Sequence, residues 1–196
     1  MSYAEKFVKS QGQDCVIDRT PPFPTKVSIK RSTKASRDLG IRAGYWEGLI
    51  PIESKLLSGE IITITNKFET IEYLIQHTNY DPQSMQIAFF SAKCNVVMTH
   101  KRYIDDVDDN WNPIQEWKTI NTDVPCYGEI INSRIRQENP GLLEGTIYLF
   151  QVPKSLGIIM LDRIIYAGKN YQVVSIDPIG LDGVLQIQLG VDLRPD

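Results

Sequence analysis

Leu161-Asp162-Arg163-Ile164-Ile165-Tyr166-Ala167-Gly168-Lys169-Asn170-Tyr171-Gln172-Val173-Val174-Ser175-Ile176-Asp177-Pro178 reads as two strands around a glycine turn, closed by an Asp-Pro corner. The β-branched and aromatic residues favour extended backbone, and Ala167-Gly168-Lys169-Asn170 supplies turn chemistry between them. The same order of signals occurs earlier in the chain. Val152-Pro153 is followed eleven residues after the proline by Ile164-Ile165, and Ile50-Pro51 is followed ten residues after it by Ile61-Ile62. Each pair leads to a tyrosine, Tyr73 or Tyr171, and then to an Asp-Pro corner, Asp81-Pro82 or Asp177-Pro178. Lys26-Val27-Ser28-Ile29 and Gly128-Glu129-Ile130-Ile131 lie at matching distances before the two prolines. Such self-similarity sets the architecture before any single motif does. It predicts a mainly β chain of two tandem small antiparallel barrels or sandwiches.

The rest of the chain fits around these two copies. Ser2 and Glu5 have capping-box spacing, Tyr3/Phe7 and Ala4/Val8 pair at i, i+4, and Gly12 follows, so a short helix is expected over 3–11. Alternating strands with turns every 8–12 residues fill 13–95 and 123–196, with Tyr127 to Arg136 read as one strand. Between them, Val96-Val97-Met98 and Tyr103-Ile104 run out to Asp105-Asp106-Val107-Asp108-Asp109-Asn110, and Ile114 to Trp117 runs back. This predicts a hairpin arm over 96–122, separating a first domain at 1–95 from a second at 123–196. The acidic tip lacks the glycine and distal glutamate of an EF-hand loop, so it reads as a solvated charge cluster. Trp111 and Trp117 beside it are either interface anchors or rings packed on the barrel.

Composition narrows the function classes. The chain has 196 residues, is 42% hydrophobic and 23% charged, and carries a net charge of −3. It is not a global electrostatic magnet for nucleic acid or acidic membranes. It contains no apolar run of about 18 residues that would span a bilayer, and its start has no apolar signal core. Cys15, Cys94 and Cys126 lack metal-ligand spacing and read as reduced thiols of a cytoplasmically folded protein. Two histidines, His77 and His100, stand apart from any nucleophile motif and read as structural or surface residues. No cofactor, metal site or catalytic group is expected.

Basic residues concentrate in Lys26, Lys30, Arg31, Lys34, Arg37 and Arg42, against Asp38 alone. Lys26 to Lys30 alternates as a strand, and 32–44 reads as a loop, either solvated or in contact with phosphate or an acidic partner. Aromatic residues are not interleaved with these cations, which argues against reading of single strands.

The 161–178 hairpin together with Asp192-Leu193-Arg194-Pro195 resembles the C-terminal half of the small β-barrel neck proteins of tailed bacteriophages, the head-closure or stopper proteins of the head-to-tail connector. The family usually carries one such domain; here it is doubled, so one chain fills two positions. The resemblance implies a homo-oligomeric ring, six- or twelve-fold, that sits below the portal or its adaptor in the virion neck after assembly in the host cytoplasm. Its other partners would be the tail terminator or tail tube protein and, non-specifically, the genomic double-stranded DNA in its lumen. Unpaired sheet edges would be satisfied between neighbouring subunits. Lys30, Arg31, Lys34, Arg37 and Arg42 would face the channel or adaptor, and Tyr3, Phe7, Tyr103, Trp111 and Trp117 would dock subunits. Two further readings stay open: a tail terminator or baseplate component, and an oligonucleotide-binding barrel.

Overall fold

In the computed structural model, residues 3–32, 44–107 and 113–195 are described. The backbone divides into two units, one of residues 1–94 with 181–184 and one of 95–180 with 185–196. Each contains a closed six-stranded antiparallel barrel. In the first, β1 (Gln13–Asp18), β2 (Phe23–Arg31), β3 (Tyr45–Pro51), β4 (Ile61–Thr65), β5 (Thr70–Asp81) and β6 (Gln86–Lys93) close in the order β1-β2-β3-β6-β5-β4. In the second, β7 (Val96–Val107), β8 (Pro113–Ile130), β9 (Tyr148–Pro153), β10 (Arg163–Tyr166), β11 (Lys169–Asp177) and β12 (Val184–Val191) repeat that order as β7-β8-β9-β12-β11-β10.

The repeat extends to single residues. Asp18, Ile17 and Val16 of β1 face Ile61, Ile62 and Thr63 of β4, as Lys101, His100 and Thr99 of β7 face Arg163, Ile164 and Ile165 of β10. Strands β3 and β9 both end in a proline, run into one 3-10 turn, and stop at a left-handed residue, Lys55 or Gly157. Ladder irregularities fall at matching places too, between Ile75 and His77 in β5 and between Val173 and Ser175 in β11. The cores correspond accordingly. Cys15, Val27, Ile50, Leu56, Ile62, Tyr73 and Ile75 fill the first, and Met98, Cys126, Val152, Ile158, Ile164, Tyr171 and Val173 take the same positions in the second. The exceptions are chemical: His100 and Arg163 lie buried where the first barrel has Ile17 and Ile61.

Two glycines give room for the largest core rings. A Cβ on Gly48 would stand 2.5 Å from Phe89 Cζ, and one on Gly128 2.6 Å from Phe150 Cε1. Phenyl groups therefore cross the strand at places where any other residue would collide with them.

Helix α1 (Tyr3–Gln11) is where the capping and i, i+4 signals put it. It turns Val8 into the first unit, and Lys9 bonds Glu53 at 3.0 Å. Four other expectations need correction. Closure of both barrels removes the free sheet edges that were to be paired between subunits, because β4 hydrogen-bonds β1 and β10 hydrogen-bonds β7. The 96–122 hairpin is present, but it does not separate two domains. Its base supplies two staves of the second barrel through pairing of β7 with β10 and of β8 with β9. Only the part beyond those ladders, to Val107 and Pro113, outgrows the barrel.

The strand expected to run to Arg136 stops at Ile130, and Ser133–Glu138 forms helix α2. Asn132 Oδ1 accepts from the Ile135 amide at 2.9 Å, a local cap that outcompetes extended backbone. Finally, the two copies align differently from the sequence match in β2 and β4. Ser28 faces Leu49 as Tyr127 faces Gln151, so the paired positions are 21 residues apart in one barrel and 24 in the other, and Ile62 corresponds to Ile164.

Candidate interaction surface

The turn that enters the fourth strand is built alike in both barrels, around one carboxylate. In the first, Glu60 Oε2 accepts from the Leu57 amide at 2.9 Å and from Arg19 Nη2 at 2.8 Å. In the second, Asp162 Oδ2 accepts from the Ile159 amide at 2.8 Å and from Arg102 Nη2 at 2.8 Å. Arg102 lies within β7 and Arg19 directly follows β1, the strands that close the two barrels on β10 and β4. The second barrel elaborates the motif. Arg102 Nε adds a 2.9 Å bond to Oδ1, which makes the pair bidentate, and its Nη2 reaches the Gly157 carbonyl at 2.7 Å.

His100 Nε2 lies 2.7 Å from Asp162 Oδ2. An ionised carboxylate only accepts, so the imidazole proton is on Nε2, and Nδ1 accepts from Asn121 Nδ2 at 3.0 Å. Burial pushes the Asp162 carboxyl up, but the hydrogen bonds from Arg102, His100 and the Ile159 amide outweigh it and hold the group at about 2.

A second ion cluster fastens the C-terminal segment to the hairpin. Arg163, 1% exposed, bonds Asp192 Oδ2 through Nε at 2.7 Å and the carbonyls of Arg194 and Pro195 through Nη2 at 2.8 and 2.9 Å. Arg194 returns to Asp192 with Nε at 2.8 Å and Nη2 at 2.9 Å. Desolvation raises the Asp192 carboxyl, while Arg194 and Arg163 more than reverse this and hold it at about 2. Trp117 completes the clamp: its Nε1 donates to the Pro195 carbonyl at 3.1 Å, and the guanidinium carbons of Arg163 and Arg194 lie 3.8 and 4.7 Å from its ring centroid. Tyr103 meets the same indole edge-to-face at 5.3 Å.

Above these paired charges opens a cleft of about 480 Å³, walled by Tyr103, Trp117, Met160, Leu161 and Arg194. Ile159, Met160 and Leu161 are exposed, and Leu161 holds φ at +71°, in the left-handed region. Three consecutive apolar side chains facing water on a well-anchored turn, one of them in a strained conformation, mark an outward-facing surface.

Of the residues expected to act, Tyr103 and Trp117 are brought together here. Phe7 is exposed on α1, and Lys30, 78% exposed at its side chain, pairs with Glu47 at 3.3 Å across β2 and β3. Arg31 ends β2 on the surface. Tyr3 is in α1, its side chain outside the described residues; Trp111, Lys34, Arg37 and Arg42 also lie outside them. Sequence reading missed His100, Arg102, Asp162, Arg163 and Asp192. The repeat held one usable signal: an acid just before the fourth strand, Glu60 and Asp162, with Arg19 and Arg102 each two residues past the equivalent positions Ile17 and His100.

No family model matches the chain, and no curated protein matches it. Among solved structures, one of MrkH, described as a c-di-GMP-dependent transcription regulatory factor, aligns over 98% of this chain and 81% of its own at 9% identity and a TM-score of 0.27. A likeness that weak carries no argument.

Proposed function

We propose that this chain is a structural component of a tailed-phage neck, a head-closure type of protein that joins the portal or adaptor to the tail as part of a homo-oligomeric ring. The observation that carries the reading is the surface of the second barrel. A projecting hairpin, an exposed apolar turn and the C-terminal segment are all locked in place by buried ion pairs. That construction prepares a face for another macromolecule, because the side chains that would be immobilised on docking are anchored beforehand. The resemblance of 161–178 and 192–195 to neck proteins names the kind of assembly.

Closed barrels alter how the ring would form. Contacts would run through side-chain surfaces and projecting segments rather than through shared sheet edges. The exposed cations Lys30 and Arg31 of β2 would lie against phosphate or an acidic neighbour.

Deleting the gene in the phage that carries it tests the reading. The expected result is DNA-filled heads that lose their genome and do not join tails, rescued by the chain supplied in trans. Normal virions without the chain would contradict it.

A further inference from the structure

We propose that the β4–β5 turn of one copy docks, Phe68 foremost, into the second-barrel cleft of another copy. The inference rests on the assembly reading above and supplies its contact. Phe68 is 95% exposed. It is presented on an ordered turn: Asn66 Oδ1 accepts from the Phe68 and Glu69 amides at 2.8 and 2.9 Å, and the Asn66 amide donates to the Glu69 carbonyl at 3.0 Å. A phenyl ring held out in water on a pre-shaped turn loses little further freedom on docking, and the ring carries a large apolar area.

The cleft matches that tip in chemistry. The edge-to-face pair Tyr103–Trp117 offers aromatic walls, Met160 a polarizable thioether, and Leu161 an aliphatic one. Arg102 and Arg194 stand at its rim with side chains 32% and 33% exposed, whereas their carboxylate partners Asp162 and Asp192 are 2% and 0% exposed. The charge that an incoming group meets is therefore positive. Glu69, next to Phe68, has a side chain 56% exposed, and its salt-bridge partner Lys93 is at 3.9 Å, the outer limit of pairing. Aromatic plus acid on the tip answers aromatic plus guanidinium in the cleft. Tip and cleft are different residues of the chain, and a one-way contact of tip on cleft is heterologous, the type that propagates head to tail and closes into a ring when the rotation permits.

The test replaces Phe68 with a photo-cross-linking phenylalanine analogue in the full chain, mixes isotope-labelled and unlabelled copies, irradiates, and maps the products. Cross-links between copies onto Tyr103, Trp117 or 159–161 are expected. In sedimentation, Phe68→Ala and Met160→Asp, both at exposed positions outside the cores, should each weaken self-association at least about 10-fold, as for a buried anchor. Cross-links that map elsewhere, a chain monomeric at every concentration, or unaltered association of Phe68→Ala would overturn the contact. Presence of the chain in particles judges the neck reading independently, so unaltered association of Phe68→Ala removes this contact alone.

Discussion

At the residue scale, Asp162 and Glu60 occupy one structural position with different burial, and this separates their energetics. Removing one partner of a buried charge cluster leaves the others uncompensated, so Asp162→Ala should destabilise the second barrel by about 3 kcal/mol, whereas exposed pairs contribute little. The more exposed Glu60–Arg19 pair predicts about 1 kcal/mol for Glu60→Ala. Chemical denaturation of the two variants checks the difference; equal losses would contradict it. Asp162 and Asp192 also set an acid limit. Both carboxyls are held at about 2 against an ordinary 3.8, so the folded state binds fewer protons than the unfolded chain below that value. Their stabilisation is full above about pH 5 and drains away as pH falls through about 4 towards about 1, on the order of 2 kcal/mol each. Thermal melts over that range should show the loss, and Asp192→Asn should remove about half of it. Gly128→Ala should cost about 1–3 kcal/mol by driving a methyl into the Phe150 ring.

At the element scale, the hairpin β7–β8 has two parts with different duties. Its base pairs with β10 at Thr99–Lys101 and with β9 at Tyr127–Ile130, so it belongs to the barrel wall. Its outer part carries Tyr103 and Trp117 beyond those ladders. Replacing 107–113 by a two-residue Asn-Gly turn, which keeps Asp106 opposite Ile114, should leave the melting temperature within a few degrees, because no barrel ladder is touched, while it impairs the assembly proposed above. A collapse of the melt would show that the tip supports the fold. This division was not legible in the sequence. Acidic residues at 105–109 announce a solvated turn, but nothing local shows that Thr99–Lys101 pairs with Arg163–Ile165, a strand far along the chain. The end of β8 was hidden for a related reason: Tyr127 to Arg136 has strand-like composition, and only the Asn132 cap turns its last part into α2. Where period and turn chemistry agreed, as in 161–178, strand and turn positions were readable, whereas the alignment of the copies slipped where connection lengths differ.

At the scale of the whole molecule, duplication is the main fact. One topology is used twice, with matching turns, bulges and core positions, and the second copy departs by burying charge and histidine where the first has aliphatic side chains. The binary pattern revealed the repeat because core positions recur with the strand period. It concealed the ion network because Arg102, Asp162, Arg163 and Asp192 read as ordinary surface charges until strand closure and the C-terminal segment cover them. A duplicated barrel whose second copy has exchanged part of its apolar filling for a fixed polar scaffold under an exposed cleft supports the proposal that this face holds a partner in one orientation. That inference connects the fold to assembly. Cryo-electron microscopy of the phage particle proposed to carry it tests it most directly, by counting copies of this chain and fixing their axial position. The account predicts one closed ring around the DNA exit channel between portal and tail, six- or twelve-fold; particles in which the chain is absent, or present as an isolated copy away from that axis, would contradict it.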